Sequence, residues 1–87
     1  MIGLYCLIQT LVEKNGIPSG TYGVVVEIFP PSYSKQNGYY VELVDECGYP
    51  YEENTYHENE IRVLTKNEIE EFEKKTDFEE MKKERGW

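Results

Sequence analysis

The chain is 87 residues long and carries 17 acidic against 9 basic residues, a formal net charge of −8. That length holds one domain around a single core, burying about 60% of the surface its unfolded form exposes. A surface of this sign repels nucleic-acid backbones and anionic membranes and favours a basic protein partner, so direct nucleic-acid binding and membrane binding are set aside.

Residues 1–12 read as a first strand, with Leu4, Cys6 and Ile8 on one face and Tyr5, Leu7 and Gln9 on the other. Residues 13–20 collect the turn formers Asn15, Gly16, Pro18 and Gly20 and predict a long excursion with Ile17 tucked back into the core. Gly20 and Gly23 pin a turn that opens into a β-branched run, residues 23–29. Simple alternation there sets Val24, Val26 and Ile28 against Val25, Glu27 and Phe29. Residues 30–38 hold two prolines and an Asn-Gly pair and predict a long loop.

A third strand over 39–44 alternates Tyr39, Val41 and Leu43 with Tyr40, Glu42 and Val44. Asp45 to Gly48 forms a tight turn with Gly48 in a left-handed conformation. Residues 49–56 return as a fourth strand, irregular or at an edge because of Pro50. A turn at 57–60 precedes a short fifth strand, 61–64. The expected fold is mainly β: a small five-stranded SH3-like antiparallel barrel, residues 1–65, with a C-terminal helical extension, residues 66–87.

Thr65 and Glu68 have the spacing of a capping box, which predicts a helix over 66–75. Thr76 to Glu79 repeats the pattern, giving two short helices or one kinked helix. Ile69, Phe72, Phe78, Met81 and Trp87 form a stripe too narrow to fold alone, so it docks on the barrel or on a partner, a second copy of the chain included.

These residues carry a resemblance. Gly20-x-x-Gly23-x-Val25-Val26-Glu27, then Tyr40-Val41-Glu42-Leu43 with Asp45-Glu46-x-Gly48, and finally Glu60 to Leu64 resemble a family of small bacterial SH3-like, KOW-like barrel proteins. The resemblance covers residues 4–64. The resemblance implies a compact accessory protein, and through members encoded beside toxin-like or nuclease-like genes it implies an immunity or antitoxin role.

Charge is concentrated in the expected barrel. Residues 1–65 carry three basic groups (Lys14, Lys35, Arg62) against nine acids, while 66–87 carry six against eight. Within residues 45–60 lie six acids, three tyrosines and no lysine or arginine. Carboxylates interleaved with aromatic rings suit docking on a basic surface, the acids steering and the rings giving contact area. The opposing expectation is that the rings pack inside and the acids keep an edge strand soluble. The candidate partner-binding residues are Asp45, Glu46, Tyr49, Tyr51, Glu52, Glu53, Tyr56, Glu58 and Glu60.

No catalytic residue, cofactor or metal ligand is assigned. Cys47, His57 and Glu58 are the right types for a nucleophilic site, but Asp45 and Glu46 disfavour a thiolate at Cys47. His57 is the only histidine, and the nearby acids lack the spacing of a calcium loop. The Gly20–Gly23 turn precedes a strand and not a helix, has no lysine beside it and lies in an acidic domain, which favours a structural role over a phosphate cradle. Cys6 and Cys47 lack metal or redox spacing, and no signal peptide or spanning segment is read, so two reduced thiols in a cytoplasmic protein are expected. The functional expectation is a non-enzymatic inhibitor that occludes a basic, nuclease-like toxin. The alternatives are a KOW-like RNA- or ribosome-associated module and a structural homo-oligomer.

Overall fold

A computed structural model describes residues 2–31 and 37–87. Five strands, β1 (Leu7–Thr10), β2 (Tyr22–Phe29), β3 (Gly38–Val44), β4 (Pro50–His57) and β5 (Ile61–Val63), form one antiparallel sheet in the order β4-β3-β2-β1-β5. A 3-10 turn, Glu58–Glu60, links β4 to β5, and two helices follow, α1 (Lys66–Lys75) and α2 (Phe78–Arg85). Among the described residues β4 and β5 are not paired with each other, so the sheet is open. Most of the loop expected at 30–38 lies outside the described residues.

Alternation gives the sheet two faces, and both are covered. Ile8, Val25, Tyr39, Val41, Leu43, Tyr56 and Ile61 point to an inner core that Ile2 and Ile17 complete. Leu7, Val24, Val44 and Leu64 point the other way, against Phe72 of α1 and Phe78 of α2. Phe72 meets Tyr22 and Phe78 edge-to-face, at 5.1 and 5.2 Å between ring centroids. Ile69 and Trp87 pack at the margin of this cluster, and Met81 is buried. The stripe on the tail thus docks on the sheet.

The first strand is shorter than periodicity suggests, because Tyr5 takes a left-handed conformation (φ 62°) and breaks the ladder before Leu7. Leu4 and Tyr5 are left exposed. In β2, a bulge between Val25 and Glu27 inserts one residue opposite β3. It reverses the alternation: Val25 and Ile28 join the inner core, whereas Val24 and Val26 share the helix-covered face. The grouping of Ile28 with Val24 and Val26 is therefore corrected. Gly20 does turn the chain, with φ 90°. Gly23 sits inside β2 opposite Leu43, where a Cβ would lie 2.6 Å from Val41 Cγ1. Its requirement is close packing of neighbouring strands and not a turn.

The helix start is the one expected. Thr65 Oγ1 accepts from Glu68 N, and the Glu68 carboxylate accepts from Thr65 N. At Thr76 the chain breaks into two helices. The Thr76 hydroxyl donates to Phe72 O and accepts from Phe78 N, closing one helix and opening the next. Gly86, at φ 73°, caps α2 through a backbone bond to Lys82 O.

Candidate functional site

The turn between β3 and β4 is built by Asp45. Its carboxylate accepts from the backbone N–H of Cys47 and of Tyr49, and its carbonyl accepts from Gly48 N. Gly48 takes the left-handed conformation (φ 88°), and a Cβ there would lie 3.2 Å from the Phe78 backbone. The turn and the start of α2 are thus in contact. Asp77 N donates to Cys47 O, and Tyr49 Oη donates to Asp77 Oδ2, which holds the Tyr49 phenol proton and raises its pKa. Asp45 and Tyr49 therefore hold the turn against the tail, although both are exposed.

Beyond the turn, a second bulge near Val44 ends the regular pairing of β3 with β4. Tyr51 falls in it and stays 54% exposed, beside a cleft of about 1020 Å³ whose walls include Tyr22, Val44, Cys47 and Phe72. Past the bulge, Glu52, Asn54 and Tyr56 pair with Leu43, Val41 and Tyr39 and share their inner face. Glu53 and Thr55 pair with Glu42 and Tyr40 on the opposite face. The two central acids, adjacent in sequence, therefore flank the strand on its two sides.

Tyr56 is corrected by the structure. It is 0% exposed, opposite Tyr39 in the inner core, and offers no contact area to a partner. Its neighbours explain the burial: Asn54 Nδ2 lies 3.4 Å from the phenol oxygen, and Lys14 Nζ sits 5.4 Å from the ring centroid. Glu60 is also engaged within the fold. It accepts from Lys14 Nζ at 3.2 Å and from His57 N at 2.7 Å. Partial burial pushes its pKa up, but these two donors more than offset that and leave it below the usual carboxylate range. Glu58 accepts from the buried Tyr39 hydroxyl at 2.8 Å and remains exposed.

The predicted cluster therefore divides. Glu46, Tyr51, Glu52, Glu53 and Glu58 are exposed along β4 and its two ends, whereas Asp45, Tyr49 and Glu60 serve the fold and Tyr56 is core. Tyr40 was missed. It lies on the helix-side face of β3, where a hydrogen bond to Glu53, followed by desolvation and the charges of Glu53, Glu42 and Glu27, pushes its pKa up to about 12. The signal was the pairing of β3 with β4, which sequence alternation alone does not register.

Cys47 and His57 stand at opposite ends of β4, on the order of 20 Å apart at a strand's rise per residue. They form no nucleophilic pair. Both thiols are free. Among the described residues no group of three or more His, Cys, Asp and Glu is placed to hold a metal ion, and no helix is long and apolar enough to cross a membrane. No protein-family model matches the chain, and no curated protein or solved structure matches it.

Proposed function

We propose that this protein is a non-enzymatic binding protein whose acidic surface occludes a basic protein partner, in the manner of an immunity protein or antitoxin acting on a nuclease-type toxin. One observation carries the reading: the exposed carboxylates Glu46, Glu52, Glu53 and Glu58 follow one strand and its ends, with no lysine or arginine between residues 45 and 60. A surface of one sign guides association with its opposite and raises the on-rate, and Tyr51 supplies a rigid ring for contact. A meander of four strands whose first strand also pairs with the fifth is compatible with an open SH3-like barrel, which supports the architecture expected from the residue pattern.

The mechanism is steric and electrostatic. Carboxylates on β4 take the place of the phosphates that a nuclease cleft is built to receive, and the body of the sheet blocks entry. Affinity capture from the native cell extract, with elution at high salt and mass spectrometry, identifies the partner. A single basic nuclease is the expected result. With that partner in hand, charge reversal by Glu52→Lys and Glu53→Lys should weaken binding at least about tenfold and flatten its salt dependence. Affinity unchanged by both substitutions would rule out the electrostatic reading.

A further inference from the structure

The sheet has two edges, and the fold treats them differently. The β5 edge is three residues long and is closed at once by Thr65 and the helix start, where Arg62 reaches Glu68 at 2.6 Å. The β4 edge is eight residues long. Residues 53–56 all stand in register with β3, and the N–H groups of Glu53 and Thr55 meet side chains from their own strand. Glu53 N donates to Glu52 Oε1 at 3.2 Å, and Thr55 N donates to Asn54 Oδ1 at 3.1 Å. Two N–H groups two residues apart, both occupied by the side chain of the preceding residue, are the outward-facing donors of an edge that no described strand pairs with. The β1–β2 turn approaches this edge through Asn54, whose side chain bonds Lys14 O and Asn15 Nδ2 on the inner face.

We propose that the outer edge of β4 receives a basic, extended segment of the partner protein as a sixth strand. The proposal rests on the reading of β4 as an acidic docking surface and specifies how the partner sits on it. Charge selects the occupant. A second copy paired through β4 would lay one acidic edge, without a lysine or arginine between residues 45 and 60, along another, and like charges close across strands are destabilising. A basic segment meets the reverse situation. Because Glu52 and Glu53 are consecutive and flank the edge on opposite faces, the complementary strand carries two consecutive basic residues, one for each face. The backbone ladder provides affinity without regard to sequence, and this basic pair sets the register. Binding exchanges two local side-chain bonds for bonds to the incoming strand.

The test uses the full-length 15N-labelled protein and a synthetic peptide, Thr-Val-Lys-Arg-Val-Thr-Val, at low ionic strength. Strand addition predicts that saturating peptide slows hydrogen exchange at the amides of Glu53 and Thr55 by at least about tenfold, with smaller effects on the amides bonded to β3. The same peptide N-methylated at alternate residues, equal in charge but unable to form the ladder, should bind at least about tenfold more weakly. Thr55→Pro, which removes an outward N–H while leaving the bonds to β3, should keep a native-like spectrum and lose peptide binding. Equal binding of both peptides without amide protection, still abolished by Glu52→Lys with Glu53→Lys, would refute strand addition and leave the acidic surface standing. If neither peptide binds, the acidic-surface reading fails and strand addition falls with it. Protection of the Glu53 and Thr55 amides in the protein alone, accompanied by a dimer in sedimentation, would overturn the choice of a basic partner.

Discussion

Replacing Phe72 by alanine tests whether the helical tail belongs to the fold or waits for a partner. Phe72 is 8% exposed, and its ring contacts Tyr22 of β2 and Phe78 of α2 edge-to-face. Losing a buried phenylalanine side chain costs about 3–5 kcal/mol, and the lower part of that range applies here because the α1–sheet interface can partly collapse. A domain of 87 residues has about 4–13 kcal/mol of stability in total. The substitution should therefore lower stability by about 3–4 kcal/mol and Tm by about 15–25 °C. Urea denaturation of Phe72→Ala beside a Lys74→Ala control, an exposed position on the same helix, provides the assay. The control should stay within about 0.5 kcal/mol of the parent. A loss below about 1 kcal/mol for Phe72→Ala would refute the docked tail, because surface substitutions alone reach that scale.

Gly48→Ala should destabilise by more than about 1 kcal/mol, since a Cβ is disfavoured at φ 88° and meets the Phe78 backbone; thermal unfolding checks this, and an unchanged Tm would contradict the contact between turn and tail. The Arg62–Glu68 pair predicts a pH dependence. Hydrogen bonds from Arg62 and from the Thr65 backbone lower the Glu68 pKa to about 2, below its value in the unfolded chain. Its contribution is therefore present above the unfolded carboxylate pKa and lost as pH falls from about 4.5 towards 2. Thermal melts between pH 6 and pH 2, of the order needed to span that window, should show a smaller acid loss for Glu68→Gln than for the parent.

Features set by neighbours along the chain were legible. Thr65 and Glu68 formed the capping box their spacing announced, because both hydrogen bonds close within one helical turn. Gly48 turned left-handed, and Ile17 returned to the core behind the Asn15-Gly16 turn. Pro50 correctly marked β4 as an edge strand. What failed depended on counting residues across strands. One extra residue after Val25 sends Ile28 to the opposite face, and no local propensity distinguishes a bulge from continued alternation in Val24-Val25-Val26.

The same limit divides the candidate site. Composition alone determined that residues 45–60 are acidic, aromatic and without a lysine or arginine. Only the sheet decided which of those residues are exposed. Tyr49, Tyr51 and Tyr56 look alike in sequence, yet one holds the turn to Asp77, one is exposed in a bulge, and one lies fully buried opposite Tyr39. Their different roles come from register with β3 and from where the tail lands, contacts between residues far apart in the chain. Charge is a sum over the sequence and survives without a fold. Exposure is a property of packing, and the edge of β4 exists as an edge only because no other described strand pairs with its outer side.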